Sequence, residues 1–332
     1  MRAVICRAFD GPGALVVGDL PDPKPGPGEV LVDVHAAAVT FMDALMVAGK
    51  YQMKPALPFA PGNDASGIVA AVGEGVSRFR VGDRVACGNW TGAFAERMIA
   101  REATTLALPP SVDFVTGAAV RHGYGTAHYA LVERAGLRSG ETVFVSGAAG
   151  GVGLAAVELA RHLGARVIAG VGSAAKVPAV REHGAHEVID YSREDLRDAI
   201  QRLTDGRGVD VFFDNVGGEI FDAMSRLMNW GGRMLPIGFT SGTVPKLAMN
   251  LPLLKNYSVV GCYWGAWVER EPQQSRAADE QIFADVAQGT LRPRAPDVLP
   301  MASFAHGLQR LVRRQVTGRI VLRVKESAGA LA

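Results

Sequence analysis

Short apolar runs bounded by glycine and proline characterise the first third of the chain. VLVDVHAAAV (30–39), SGIVAAVG (66–73) and DRVACG (83–88) are examples. Runs of this length between turn residues are typical of strands, so we predict an antiparallel β domain here. The segment PDPKPGPGE between the first two strands contains too much proline and glycine for a helix or a central strand and predicts a surface connection.

The pattern changes after a helical stretch at 114–130, where apolar residues recur at spacings of three and four. From residue 141 onward, apolar runs alternate with helical segments, which predicts βαβ units and a parallel sheet covered on both faces. This pattern ends near 258–264, and a final strand GRIVLRV returns to the first domain. We therefore expect an α/β protein with a β domain at 1–122 and 265–332 and a parallel-sheet domain inserted at 123–264.

Composition narrows the protein class. The 332 residues exceed what one core usually supports. Hydrophobic residues make up 48% and charged residues 20%, with a net charge of +2 and no basic cluster, so we expect a folded protein that does not bind nucleic acid. The N-terminus lacks the apolar core of a signal peptide, and no apolar run is long enough to cross a membrane. Three scattered cysteines predict neither disulfides nor a metal site, and we expect a cytoplasmic location.

A glycine-rich segment, SGAAGGVG, follows the strand TVFV and precedes an amphipathic helix. A pyrophosphate bound at a helix N-terminus requires a sharp turn without Cβ obstruction, and the last glycine lets the helix pack close to the strand. The order of strand, loop, helix and second strand predicts a dinucleotide-binding loop of the Rossmann type; the alternative is a tight βα turn that binds no ligand. The candidate contact residues are Ala149, Gly150, Gly151, Val152 and Gly153.

The end of the second strand indicates which dinucleotide binds. NAD sites usually have an acidic residue there to bind the ribose hydroxyls, but this chain has Gly170, Gly172 and Ser173, followed by Lys176. A hydroxyl and an ammonium group favour a 2′-phosphate, so we predict NADPH; the alternative is that Lys176 is a solvated helix residue. Tyr191 is a candidate to cover the adenine or reach the same phosphate. Asn215 lies at the carboxyl end of the strand VFFD, where ligands bind in such folds.

Several motifs in order, PFAPGNDASGIVAAVGEGVSRFRVGDRVA, SGAAGGVG, VGSAAK and FDNVGG, resemble the zinc-free quinone oxidoreductase (zeta-crystallin-like) branch of the medium-chain dehydrogenase/reductase superfamily. The resemblance covers the whole chain. It implies a Rossmann doubly wound parallel sheet inserted in a GroES-like β-barrel domain, with NADPH in the cleft between them. It also implies a homodimer formed through the edge strand SVVGCYW. Further cofactor contacts implied by the resemblance are Thr126, Ile237, Gly238, Phe239 and Arg319, although Arg319 has a solvated role as its alternative.

The resemblance also identifies departures at the metal position. Zinc-dependent relatives have Gly-His-Glu where this chain has Gly62, Asn63 and Asp64, and the four closely spaced cysteines of the structural zinc site are absent. Because zinc prefers thiolate, imidazole and carboxylate ligands, we expect no metal.

The resemblance places Thr40, Asp43 and Tyr51 around that position as candidate catalytic residues. Tyr51 either donates a hydrogen bond to the substrate oxygen or is an amphipathic residue at the domain edge. We expect structural roles for His122 and His128.

The expected reaction is hydride transfer from NADPH to a quinone or a similar conjugated acceptor, without zinc. Quinones need little acid–base assistance because the hydroquinone anion is stable. Two alternatives stay open: reduction of α,β-unsaturated aldehydes, ketones or thioesters, and NADPH binding without catalysis. A panel of acceptors distinguishes them.

Overall fold

The computed structural model describes residues 1–325, which form two compact units. The first unit comprises Met1–His122 and the described residues from Val268 onward, and the second comprises Gly123–Trp267. Trp267, the last residue of the second unit, stacks on Tyr129 of the same unit, with ring centroids 4.7 Å apart.

The strands of the described residues are β1 Arg2–Ile5, β2 Val16–Asp19, β3 Glu29–Val39, β4 Asp64–Val72, β5 Arg84–Gly88, β6 Arg97–Arg101, β7 Leu106–Ala107, β8 Thr142–Val145, β9 Arg166–Val171, β10 Glu187–Asp190, β11 Val209–Asp214, β12 Met228–Pro236, β13 Ser258–Val259, β14 Asp297–Pro300 and β15 Ile320–Arg323. The α-helices are α1 Phe41–Val47, α2 Phe114–His128, α3 Gly151–His162, α4 Val177–Glu182, α5 Leu196–Leu203, α6 Gly218–Met224, α7 Asn250–Lys255, α8 Trp264–Arg270, α9 Pro272–Gln288 and α10 Phe304–Val312.

The first unit is built on a sheet whose strands follow the order β14-β15-β3-β4-β5-β7, with β6 also paired to β3. Neighbours are antiparallel except β14 and β15. The last strand pairs with β3, so the end of the described chain returns to the first domain as predicted. One face of this sheet packs a core of valine, alanine, methionine and phenylalanine side chains that are withdrawn from solvent.

The second unit contains a parallel sheet in the order β10-β9-β8-β11-β12-β13. The chain winds outward from β8 to β10 and then resumes on the other side with β11. This reversal between β8 and β11 creates a switch point at the carboxyl ends of the strands, where open parallel sheets bind ligands. The predicted α/β architecture is confirmed.

Two elements differ from the sequence prediction. The helix at 114–130 ends as α-helix at His128 and continues as a π-helical turn, Tyr129–Arg134. The edge strand predicted at 258–264 is only Ser258–Val259, because Trp264 already begins α8. Among the described residues, no helix combines the length and apolar character needed to span a membrane.

Candidate functional site

The glycine-rich loop of the second unit joins β8 to α3. Gly147 has φ of +58°, which a side chain rarely adopts, and it makes the sharp turn at the strand end. A Cβ at Gly153 would lie 2.7 Å from Ala148 Cα, so glycine is required for α3 to pack against the loop. The turn and the close packing are those predicted from the sequence.

At three other positions that follow the carboxyl ends of strands, the fold itself does not require glycine. A Cβ at Gly150 would meet only Gly147 O at 3.5 Å, one at Gly172 only Tyr191 Cε2 at 3.4 Å, and one at Gly238 only Asn215 O at 3.5 Å. None of the three has a positive φ. The fold would accept a side chain at each position, so the bare backbone there fits the close approach of a ligand.

Ser146, Asp214 and Asn215 tie the loops after β8 and β11 together. Ser146 Oγ donates to Asp214 Oδ1 at 2.7 Å, and Asn215 Nδ2 donates to Ser146 O at 2.8 Å. Burial raises the pKa of the Asp214 carboxyl, against the opposing effect of its hydrogen bonds from Ser146 and Gly217. The Asn215 amide therefore joins the two loops at the switch point, and no pattern in the sequence predicted this role for Ser146 or Asp214.

The turn predicted to lie beside the cofactor, Ile237 to Phe239, is held to the same strand end. The backbone N–H groups of Ile237 and Gly238 both donate to Asp214 O, at 2.9 and 3.1 Å. Phe239 is 39% exposed, which is unusual for such a large apolar side chain. Thr126 is buried in α2.

The predicted 2′-phosphate residues lie at the ends of β9 and β10. Ser173 and Lys176 belong to a turn directly after β9, in which Lys176 N donates to Ser173 O at 3.1 Å. The ring of Tyr191 lies against this strand end, where a Cβ at Gly170 would come within 3.1 Å of it. The acidic residue Asp190 nearby is occupied in its own turn, since its Oδ1 accepts from Ser192 Oγ at 2.6 Å.

A buried cluster of charged residues occupies the first unit at the position of the missing zinc ligands. Asp64 is fully buried, and its Oδ1 accepts from Arg121 Nη1 at 3.1 Å. Its Oδ2 lies 3.2 Å from His122 Nδ1. A Cβ at Gly88 would collide with Arg121 Nη1, so glycine in β5 leaves the space that the guanidinium fills.

The same cluster contains two of the predicted catalytic residues. Thr40 caps α1, and its backbone N and its Oγ1 each donate to Asp43 Oδ2 at 2.7 Å. Asp43 is fully buried, its Oδ1 has no hydrogen-bond partner, and burial raises its pKa to about 7. Arg319 is 9% exposed, and its charge lowers the pKa of both Asp43 and Asp64. Tyr51 is half-buried, with its ring centroid 6.4 Å from that of Trp90.

His122, for which we expected a structural role, lies at the more exposed edge of this cluster. Its side chain is 19% exposed, whereas its partner Asp64 is fully buried. Asn63 Nδ2 approaches the same ring nitrogen at 3.4 Å. One sequence feature could have indicated this cluster: the polar pair Arg121-His122 lies inside the otherwise apolar helix segment AAVRHGYGTA.

This donor set does not fit zinc. Arg121 Nη1 donates to Asp64 Oδ1 at 3.1 Å. A metal ion bound by Asp64 would therefore lie close to the positively charged guanidinium and be repelled by it. Within residues 1–325 no group of three or more histidine, cysteine, aspartate and glutamate side chains is placed to hold a metal ion.

Comparison with protein families supports both units. The model of the alcohol dehydrogenase GroES-like domain matches residues 26–110, and the model described as zinc-binding dehydrogenase matches residues 151–280. Quinone oxidoreductase-like protein 2 homolog of Nematostella vectensis is 38% identical over 330 residues, covering 98% of this chain and 89% of that protein. Human quinone oxidoreductase is 32% identical, covering 97% of both chains.

Solved structures give the same picture. A mycobacterial protein complexed with NADPH aligns with a TM-score of 0.92 and 31% identity, covering 98% of this chain and 100% of that one. Escherichia coli quinone oxidoreductase complexed with NADPH aligns with a TM-score of 0.91 and 26% identity, with the same coverage.

Proposed function

The chain belongs to the zinc-free quinone oxidoreductase branch of the medium-chain dehydrogenase/reductase superfamily, and on that premise we propose that it is an NADPH-dependent reductase of quinones or similar conjugated acceptors. The GroES-like domain and the Rossmann-type sheet of this branch correspond to the two units. The oxidoreductase class follows from the family, whereas the quinone substrate is our proposal.

The glycines that the fold does not require are the observation that carries this proposal. Gly150, Gly172 and Gly238 leave the backbone bare at the carboxyl ends of three strands. The backbone at Ala149, Gly150, Gly151, Val152 and Gly153 would hold the pyrophosphate at the N-terminus of α3, where N–H groups point outward. Ser173, Lys176 and Tyr191 would hold the 2′-phosphate and the adenine. NADPH supplies the hydride when it is bound.

The chain's own residues orient the acceptor. We place the oxygen on which negative charge develops during reduction beside His122, the partly exposed basic residue of the cluster around Asp64 and Asp43. Tyr51 is proposed to donate a hydrogen bond to the same oxygen, since a phenol stays protonated near neutral pH. In this proposal, Arg319 reaches the cofactor phosphates in addition to neutralising Asp43 and Asp64.

The test is an acceptor panel of quinones, α,β-unsaturated ketones and aldehydes, and enoyl thioesters, run with NADPH and NADH side by side. We expect turnover of quinones with NADPH in preference to NADH. Turnover of unsaturated carbonyl compounds alone would reassign the substrate, and preference for NADH would contradict the assignment of Ser173 and Lys176. Tight NADPH binding without turnover would indicate a binding protein.

Gly150→Ala tests the nucleotide loop independently of the acceptor. We expect the Kd for NADPH to rise about tenfold, roughly 1.4 kcal/mol, because the new methyl group obstructs the phosphates. The melting temperature should stay within about 2 °C of wild type, since the fold has room for the methyl group. Gly13→Ala is the matched control, because Gly13 also has open space and no positive φ. Unchanged NADPH affinity in G150A would contradict the assignment of the loop.

We further propose a homodimer formed through β13 and a cytoplasmic location. The apolar edge at Val259 and Tyr263, which are 42% and 48% exposed, supports the dimer. The free thiols of Cys6, Cys87 and Cys262 support a reducing compartment.

A further inference from the structure

The carboxylate of Asp64 lies beside one ring nitrogen of His122, an arrangement that can hold an imidazole in a fixed orientation. Asp64 Oδ2 lies 3.2 Å from His122 Nδ1, and only the histidine reaches the surface of its unit. Asp64 Oδ2 is buried without a hydrogen-bond partner, and an ionised carboxylate only accepts hydrogen bonds, so a proton on His122 Nδ1 would satisfy it. Asn63 Oδ1 is buried without a partner, and by turning its amide Asn63 can accept from the same N–H.

The surroundings of Asp64 keep it ionised. Burial raises the pKa of the carboxyl, but the hydrogen bond with His122 and the charges of His122, Arg121 and Arg319 outweigh burial and lower it. Asp279 is the second carboxyl group near the guanidinium, with its Oδ2 3.9 Å from Arg121 Nε. The charged groups around the pair are therefore Arg121, Arg319, Asp43 and Asp279.

We propose that His122 is the proton donor of the reductase, with Asp64 and Arg121 as positioning residues that fix its tautomer and orientation. The inference rests on the proposed function and names the residue that completes the reaction. A carboxylate beside Nδ1 holds the ring orientation and leaves Nε2 as the atom that delivers the proton, the same division of labour that operates in histidine-dependent hydrolases.

The step balances as follows. The acceptor gains a hydride at carbon, and the electron pair of its C=C–C=O system moves to the carbonyl oxygen. The imidazolium of His122 transfers its Nε2 proton to that oxygen, which forms an O–H bond and breaks the N–H bond. The neutral imidazole then takes a proton from solvent. One acceptor, one NADPH and one proton give the reduced acceptor and NADP⁺.

His122→Gln is the decisive variant, because glutamine is polar but cannot deliver a proton. Among the acceptors that wild type reduces, we expect kcat to fall on the order of 100-fold for the one whose reduced anion is the strongest base. The loss should be below about tenfold for a quinone with a stable anion. The Kd for NADPH should be unchanged. His306→Gln, an exposed histidine of α10 in the same unit, is the matched control.

Three further results decide the outcome. If H122Q and H122N both match H306Q on that acceptor, the proton-donor role is overturned while the proposed function stands. If wild type reduces no conjugated acceptor, the proposed function fails and this inference fails with it. Nitrogen-15 spectra of the imidazole in the cofactor-free protein should show the Nδ1 proton in wild type and lose that preference in D64N; an unchanged spectrum would overturn the positioning role of Asp64.

Discussion

At the scale of single residues, two buried carboxylates share the Arg121 guanidinium but have opposite pKa shifts. Asp64 Oδ1 accepts from Arg121 Nη1, Asp64 Oδ2 lies 3.2 Å from His122 Nδ1, and the pKa of Asp64 is lowered. Asp279 lies 3.9 Å from Arg121 Nε, and burial raises its pKa to about 7. Distance and hydrogen bonding thus decide which carboxylate carries the charge.

Asp279→Asn tests this difference through the pH dependence of stability. Between about pH 4 and pH 7, folded Asp279 holds a proton that the unfolded chain has released, so the free energy of unfolding falls as pH rises through this window. We expect D279N to be more stable than wild type by roughly 1–3 kcal/mol at pH 8 and similar to it near pH 4.

The measurement is urea denaturation at several pH values. The slope should be reduced rather than abolished, because Asp43 also has its pKa raised to about 7 and contributes with the same sign. Asp285→Asn on the same helix is the control. Equal pH slopes in D279N and wild type would contradict the assignment.

At the scale of elements, the capping box at the start of α1 places the Asp43 carboxyl in the protein interior. Thr40 and Asp43 satisfy each other's backbone N–H groups at the start of the helix. The apolar residues of the helix, including Met46 and Val47, are buried, so Asp43 is carried into the interior with them. The helix thereby places a carboxyl beside Arg319, at the other end of the described chain.

Thr40→Ala removes the cap and leaves Asp43 buried without its hydroxyl donor. We expect a loss of about 2 kcal/mol in the free energy of unfolding, about 1 from the cap and the rest from the unsatisfied carboxyl. Thr40→Ser keeps the hydroxyl and should lose less than about 1 kcal/mol. Urea denaturation followed by tryptophan fluorescence measures both; a serine variant as unstable as the alanine variant would argue against the hydrogen bond as the cause.

Most elements were predictable from the sequence. The strands expected at 30–39, 66–73 and 83–88 occur at Glu29–Val39, Asp64–Val72 and Arg84–Gly88, because turn residues bound each run. The length of the edge strand was not predictable. The apolar residues from 258 to 264 fit a strand, but only Ser258 and Val259 pair with β12, and α8 begins at Trp264, whose side chain is buried.

At the scale of the whole molecule, the exposed edge of the parallel sheet is the surface on which the proposed dimer depends. Val259→Lys places a charge on β13, and charged residues on an edge strand oppose pairing. We expect a dimeric wild type and a monomeric V259K in sedimentation velocity experiments. Val81→Lys, at an exposed valine of the first unit, is the control and should stay dimeric. A monomeric wild type, or a V259K dimer, would contradict the proposed interface.

The sequence by itself determined the two units, the glycine loop and the substitution of the zinc ligands, because each is encoded by residues close together in the chain. Turn residues and apolar period act locally, so they can be recognised without a fold. The cluster at the position where zinc-dependent relatives have their ligands was decided only by tertiary structure. Asp43, Asp64, His122, Asp279 and Arg319 come from five separate elements or loops, and a buried charge acquires its partner and its pKa only when the fold brings them together.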